Sequence, residues 1–156
     1  MKLSETFTYS ATVDEVYGLI TSEEFRTETC EDQGAIEYDV SVDDGTVTIV
    51  RSMPAELPDF VKKLTGPTVK VKQTEKWSQK SDGSRVADVK VSIVGQPAEM
   101  LGTAALEDDG SGGTVFTVKG DVKVSIPLLG RKIEPEIHKQ IVRSLNAEVD
   151  LGKTKI

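Results

Sequence analysis

The first side chain that could do chemistry in an interior site is Glu75, which lies in a stretch of alternating inward and outward residues, 69–77. One face of the stretch carries Val69, Val71, Gln73, Glu75 and Trp77, and the other carries Lys70, Lys72, Thr74 and Lys76. Successive side chains of a strand point to opposite faces, and the lysine-rich face is the one expected to meet water. Gln73 and Glu75 are therefore predicted to point inward. A buried carboxylate needs a cationic partner or a wet cavity, because burying it unpaired costs several kcal/mol.

Arg51 is the second candidate, and it lies in a predicted hairpin. A two-residue turn at Asp44-Gly45 places Tyr38 opposite Arg51 and turns Arg51 to the inward face. Neighbouring strands would bring Arg51 within reach of Glu75, although the register between residues 46–53 and 68–79 is left open. Three interpretations of the two charges remain: solvation or a structural ion pair, contact with a ligand, and catalysis.

The remaining candidates for chemistry are isolated. His138 is the only histidine and lies on the flank of the apolar half of a predicted helix; Glu134 and Glu148 also fall within that half. His138 is either a boundary residue or a ligand contact. With a single cysteine, Cys30, the chain lacks ligand-spaced partners for a zinc site. No serine lies in a G-x-S-x-G elbow, and "GSGG" at 110–113 is predicted to be a hairpin loop. We expect no metal and no cofactor.

The elements that must position these residues can be predicted from periodicity. The length of 156 residues suits a single domain, 1–156. A strand near 3–9 is followed by two short helices capped by Thr12 and Ser22, and then by the hairpin. A short helix is predicted near 57–65, then four strands at roughly 68–79, 85–95, 98–107 and 114–126. A long amphipathic helix from about Arg131 to Asp150 ends the chain, and Pro135 should set its first turn. Strict alternation indicates an antiparallel sheet, so the fold class is α+β, in the order β-α-α-β6-α.

This order, together with three short motifs, resembles a known superfamily. The motifs are "EKW" at 75–77, "GQPAEMLGT" at 95–103 and "IPLLGRKIE" at 126–134. They are similar to the START-like (SRPBCC, birch-pollen-allergen-like) superfamily and, more closely, to an uncharacterised actinobacterial family within it, DUF2505. The resemblance implies a helix-grip fold, in which a curved antiparallel sheet of about seven strands wraps around the terminal helix. It also implies a cavity between helix and sheet, which the superfamily uses for lipids, sterols, polyketides and other apolar molecules.

The inward positions around such a cavity give the candidate ligand-binding residues. They are Tyr38, Arg51, Gln73, Glu75, Trp77, Val91, Met100, Gly102, Val118, Gly120, Ile137, His138 and Ile141. The short helix near 57–65 either caps one end of the core or forms the mouth of the cavity. In the second case, Phe60 and Leu64 are candidate lid residues.

Three functions are compatible with this sequence. The first is binding or carriage of a hydrophobic or amphiphilic small molecule. The second is a START-like enzyme of the cyclase, dehydratase or hydrolase type, with Glu75 as general acid or base; a nearby Arg51 would lower the pKa of Glu75, which speaks against it. The third is a partner-binding module whose cavity has collapsed.

Composition narrows the class of partner. The net charge of −7 disfavours nucleic acid and an anionic bilayer surface. No apolar run approaches the ~20 residues of a membrane-spanning helix, so no stable membrane insertion is expected. The start, "MKLSETFTYS", lacks the pattern of a signal peptide, and one cysteine cannot form an internal disulfide. A cytoplasmic location is the expectation, and the oligomeric state stays open.

Overall fold

A single antiparallel sheet and four helices make up the computed structural model, which describes residues 1–156. The strands are β1 (Lys2–Tyr9), β2 (Glu37–Asp43), β3 (Thr46–Pro54), β4 (Thr68–Gln79), β5 (Arg85–Ile93), β6 (Ala98–Asp108) and β7 (Thr114–Val124). The helices are α1 (Val13–Ile20), α2 (Glu23–Asp32), α3 (Asp59–Thr65) and α4 (Gly130–Lys153). The strand order across the sheet is β1-β7-β6-β5-β4-β3-β2. The predicted element order is confirmed, and α3 is the predicted short helix.

The two helices after β1 begin where the sequence places their caps. Thr12 accepts a hydrogen bond from the backbone N–H of Glu15 at 3.2 Å, and the Glu15 carboxylate accepts one from the backbone N–H of Thr12 at 3.3 Å. Ser22 accepts from the backbone N–H of Phe25 at 3.2 Å and caps α2 in the same way. These bonds satisfy N–H groups that a helix start would otherwise leave unpaired. Both predicted caps are confirmed.

The hairpin of β2 and β3 fixes the position of Arg51. Asp44 and Gly45 form its turn with φ angles of 46° and 77°, the left-handed conformation that two-residue hairpin turns require. Tyr38 lies opposite Arg51, as predicted. The register that the sequence left open places Arg51 opposite Val71 and Glu75 opposite Val47. Four residues of strand, about 13 Å, therefore separate the level of Arg51 from that of Glu75.

The terminal helix starts earlier than Pro135 predicts. Helix α4 begins at Gly130, which confirms the predicted start near Arg131, but Pro135 lies inside it, so the expectation that the first turn forms near Pro135 was wrong. Arg131 and Pro135 are both exposed, so water can reach the Arg131 carbonyl that has no partner N–H at Pro135. Gly130 also fixes the start, because a Cβ there would lie 2.2 Å from the carbonyl oxygen of Val124. The absence of a side chain lets α4 begin directly against the end of β7.

The inner face of the sheet follows the predicted alternation. Glu75 and Trp77 of β4 are buried, as are Phe116, Val118 and Val122 of β7. Helix α4 packs on β1 and β7, with Ile133, Ile137 and Val149 among its buried residues. Helix α2 packs against β2 and α4 and so closes one side of the space between helix and sheet. None of the helices is both long and apolar enough to cross a membrane.

Candidate functional site

A cavity of about 560 Å³ lies between the sheet and α4. Its wall is built from β3 to β7, α2, α4 and residues 53–57, hereafter the mouth segment. Twenty of the 36 lining residues are hydrophobic. Asp32, Pro54, Glu56 and Arg143 belong to the wall and are exposed, so the cavity reaches the surface between the mouth segment, α2 and α4.

Most of the predicted cavity residues lie on this wall. Those that do are Arg51, Gln73, Glu75, Trp77, Val91, Met100, Val118, Ile137 and Ile141. They bring the polar side chains of β3 and β4 together with the apolar side chains of β5, β6, β7 and α4. Whether they bind a ligand stays a prediction.

Four predicted cavity residues lie elsewhere. Tyr38 is on the edge strand β2 and is 40% exposed. His138 has its Nε2 3.1 Å from the carbonyl oxygen of Lys2, so it joins α4 to β1 outside the cavity. Gly102 and Gly120 pair with each other across β6 and β7, and a Cβ on Gly102 would lie 2.1 Å from the carbonyl oxygen of Lys119. These glycines permit close strand approach and add no room to the cavity.

The predicted lid is also displaced from the wall. Phe60 and Leu64 of α3 are about 40% exposed and do not line the cavity, because α3 turns Val61 inward to the core instead. The mouth segment before α3 lines the cavity opening, where the lid was predicted. It is tied to α4 through Glu56, whose carbonyl oxygen accepts from Gln140 at 2.8 Å and whose carboxylate accepts from Arg143 at 2.7 Å.

The most buried polar group on the wall is Arg26 of α2, which is 2% exposed. Its two terminal nitrogens bind the carboxylate of Glu75 in bidentate fashion, at 3.1 and 2.7 Å. Nη1 also donates to the carbonyl oxygen of Ile20 at 3.2 Å, and Nη2 lies 3.0 Å from Oε1 of Glu148 on α4. Arg26, Glu75 and Glu148 form a buried triad that joins α2, β4 and α4.

Sequence reasoning missed Arg26 and did not include Glu148 among the site residues. Arg26, Thr29, Cys30 and Gln33 recur at helical spacing, and the first three are buried. That spacing was the available signal, but α2 is otherwise polar, and an arginine on a polar helix is usually exposed. Glu148 was assigned to the apolar half of α4 without a partner.

Glu75 has all of its acceptor capacity in use. Oε1 accepts from Arg26 and from Nε1 of Trp77 at 3.0 Å, while Oε2 accepts from Arg26 and from Nε2 of Gln73 at 2.6 Å. Burial alone would raise the pKa of Glu75, but the charge of Arg26 and these hydrogen bonds hold the pKa below its usual value. A carboxylate in this state is a poor general acid or base.

Glu148 is held differently. Its only polar partner is Arg26, and it accepts no hydrogen bond of good geometry, although it is 8% exposed and lines the cavity. Burial raises the pKa of Glu148, Arg26 opposes this increase, and the charge of Glu75 adds to it. With both carboxylates ionised, the triad has one positive and two negative charges. The cavity therefore ends at a group with unused hydrogen-bonding capacity.

Arg51 belongs to a second polar cluster nearer the mouth. Its Nη1 donates to Gln33 at 3.1 Å and its Nη2 to Oγ of Ser144 at 3.5 Å, while Nε2 of Gln33 donates to the carbonyl oxygen of Ser144 at 3.3 Å. Arg51 and Glu75, whose proximity the sequence left open, are therefore not in contact, because the strand register separates them. No three His, Cys, Asp or Glu side chains are grouped to hold a metal ion.

Residues 4–156 match the family described as "Protein of unknown function (DUF2505)". The chain belongs to this family. Uncharacterized proteins of Mycobacterium tuberculosis (Rv0481c) and Mycobacterium bovis (Mb0491c) are each 32% identical to this DUF2505 protein over 112 residues, which is 69% of this chain. The matched region spans 64% of the length of these relatives.

Solved structures of the same architecture show that this DUF2505 protein has the predicted helix-grip fold. TTHA0849 from Thermus thermophilus has a TM-score of 0.66 at 13% identity, covering 99% of this chain and 95% of that one. The Zhui aromatase/cyclase from a Streptomyces species has a TM-score of 0.66 at 10% identity, covering 99% and 92%. Norcoclaurine synthase from Thalictrum flavum has a TM-score of 0.63 at 13% identity, covering 97% and 85%. At these identities the likeness extends to the fold alone.

Proposed function

We propose that this DUF2505 protein binds a hydrophobic or amphiphilic small molecule in the cavity between the sheet and α4. The observation that carries the proposal is the volume of about 560 Å³ behind a largely apolar wall. At ~24 cal/mol per Å³, a dry void of this size would cost roughly 13 kcal/mol. That cost is comparable to the whole stability of a domain, about 5–15 kcal/mol. The cavity must therefore hold water or a ligand.

The distribution of polar groups favours a ligand over water. The polar side chains of the wall include the triad, the cluster of Arg51, Gln33 and Ser144, and exposed residues at the mouth such as Asp32, Glu56 and Arg143. Between them, β5, β6, β7 and α4 contribute apolar residues such as Val91, Val118 and Ile141. Water held there would lack most of the two to four polar partners that buried water usually has. An apolar group that displaces it is expected to gain free energy.

The other two functions have less support. A collapsed cavity does not fit the volume of about 560 Å³. The enzyme hypothesis assigned acid–base chemistry to Glu75, whose oxygens are fully occupied by Arg26, Gln73 and Trp77. The cyclase and the synthase among the solved structures share the fold with this chain, which by itself does not transfer their activities.

The test is binding of a neutral apolar dye, N-phenyl-1-naphthylamine, together with native mass spectrometry of the purified protein for retained small molecules. Ala104→Phe places a ring in the cavity and should weaken dye binding at least about tenfold by occupying the ligand volume. Ala105→Phe is the matched control, because Ala105 is the next residue of β6, points to the opposite face and does not line the cavity. Equal dye binding by the two variants, or no dye binding by the wild type, would contradict the proposal.

A further inference from the structure

The buried triad contains two carboxylates but only one cation, Arg26. Arg26 gives both terminal nitrogens to Glu75, and Glu148 receives only a shared contact at 3.0 Å. The other ionisable groups that influence or surround Glu148 are Arg51 on β3, Tyr9 on β1 and Cys30 on α2. Arg51 is already committed to Gln33 and Ser144, and the other two supply no positive charge. No side chain of the protein completes the charge balance at Glu148.

Glu148 lines the cavity, so a ligand in the cavity can reach its carboxylate. Along α4, the residues Ile137, Ile141 and Leu145 form an apolar strip of the wall, and Glu148 continues this strip at its C-terminal end. The helix rise places Glu148 about 16 Å from Ile137. A largely buried carboxylate whose one polar contact is a shared guanidinium is costly, and the cavity beside it provides a space in which a further donor could lie.

We propose that Glu148 is the head-group site of the cavity and that it binds the basic amine of an otherwise apolar ligand. This inference rests on the proposed function. An ammonium group beside Glu148 would balance the triad and donate the missing hydrogen bonds, while the apolar part of the ligand lies along the strip of α4. A carboxylate head would meet two buried carboxylates and only one guanidinium, so it is disfavoured. An uncharged hydroxyl head can donate one hydrogen bond and should bind with intermediate affinity.

The test compares ligands that share an alkyl chain and differ in the head: decylamine, 1-decanol and decanoate, each below its micelle-forming concentration. Displacement of N-phenyl-1-naphthylamine at neutral pH reports their affinities. Decylamine should displace the dye at a concentration at least about tenfold lower than decanoate, because attraction at a partly desolvated carboxylate exceeds that in water. Glu148→Gln should reduce this ratio to near one, mainly by weakening decylamine, and should weaken 1-decanol much less, because the glutamine amide oxygen can still accept its hydrogen bond.

Asp150→Asn is the matched control. It makes the same change in net charge on the same helix, but Asp150 is exposed and does not line the cavity. The control should retain the preference for decylamine. An equal loss of preference in both variants would show that overall charge causes it, and would overturn the assignment of Glu148.

Failure of this inference can be told apart from failure of the proposed function. If 1-decanol displaces the dye but the wild type does not prefer decylamine over decanoate, the head-group assignment is overturned and the apolar cavity site stands. If none of the three ligands displaces bound dye, the head-group assignment is overturned; if the wild type binds no dye, both proposals fail. The wild-type comparison requires no variant, so it decides the question even if Glu148→Gln folds poorly.

Discussion

Glu75 and Glu148 share one guanidinium group, yet their surroundings hold the two carboxylates in different states. Glu75 accepts four hydrogen bonds, two of them from Arg26, and its pKa is lowered. Glu148 has only the Coulomb contact with Arg26, and its pKa is raised. Because the two groups interact, their protons are lost in steps that belong to the pair. One carboxylate serves as the structural counter-ion, and the other remains free for a further partner.

This difference predicts opposite effects of the same substitution on stability. Glu75→Gln should lower the free energy of unfolding by about 3 kcal/mol near pH 7, because Arg26 would stay buried without its bidentate partner. Glu148→Gln should leave that free energy unchanged or raise it, since it removes a poorly paired buried charge. Urea unfolding of the two variants and the wild type measures the contrast. Similar losses in both variants would contradict the assigned roles.

The pH dependence of stability should also separate the two residues. The lowered pKa of Glu75 contributes stability that is present above its ordinary pKa and is lost as pH falls through the folded-state value. The raised pKa of Glu148 contributes stability that is present below its ordinary pKa and is lost as pH rises through the folded-state value. The stability of Glu148→Gln relative to wild type should therefore increase from about pH 4 to about pH 8. Melting temperatures across this range provide the check, and a constant difference would argue against a raised pKa.

At the scale of the elements, glycines decide how closely strands and helices can approach. A Cβ on Gly102 would lie 2.1 Å from the backbone oxygen of Lys119, whereas nothing lies within 4 Å of a Cβ on Gly18 in α1. Gly102→Ala should therefore destabilise the protein by about 1–3 kcal/mol through overpacking between β6 and β7. Gly18→Ala should stabilise it by about 0.5–1 kcal/mol, because alanine is the better helix former. Denaturant midpoints of the two variants test this pair.

The mouth segment is the element expected to control entry and exit of a ligand. Glu56 ties it to Arg143 and Gln140 of α4. Glu56→Ala removes the exposed ion pair, which is worth up to about 1 kcal/mol, so dye release should accelerate up to about fivefold with little change in affinity. Glu136→Ala is the control, because it removes another ion pair on α4, with the exposed Lys139, and the half-buried Glu136 does not line the cavity. Stopped-flow dilution measures release; equal rates in the two variants would exclude the mouth segment as the gate.

For the molecule as a whole, a filled cavity should be visible as increased stability. A ligand present at 100 times its Kd adds about 2.7 kcal/mol to the free energy of unfolding. For a chain of this length, that corresponds to an increase in melting temperature of about 5–10 °C. We expect this increase for the wild type with decylamine and a much smaller one for Ala104→Phe. An unchanged wild-type melting temperature at saturation would show that the ligand does not bind the folded state preferentially.

The parts of the fold that the sequence predicted are those set by local rules. The caps at Thr12 and Ser22, the Asp44-Gly45 turn and the alternation of β4 each depend on residues close together in the chain. The pairing of β3 with β4 depends on residues 54–66 between them, whose path no local pattern specifies. The sequence therefore left open whether Arg51 reaches Glu75, and it missed Arg26, because packing of α2 against the sheet decides which cation reaches Glu75.

Alternation could predict which face of each strand the site residues occupy, but not whether each residue lies close enough to line the cavity. Alternation correctly turned Gln73, Glu75 and Trp77 inward, and these side chains line the cavity. Tyr38 has the corresponding parity in the hairpin, but the edge strand β2 lies beyond the wall. The position of His138 at the flank of α4 was likewise predicted, whereas its contact with the Lys2 carbonyl depends on how β1 meets the helix.

The strand order has a consequence for how the chain is made. β1 pairs only with β7, across sequence separations of more than 100 residues, from Tyr9 with Thr114 to Lys2 with Asp121. During synthesis on the ribosome, β1 therefore emerges before the other strands and stays unpaired until β7 has left the exit tunnel. An unpaired strand edge invites association with other chains. We expect the exposed polar side chains of β1, Lys2, Ser4, Thr6 and Thr8, to keep this early segment in solution until β7 is available to pair with it.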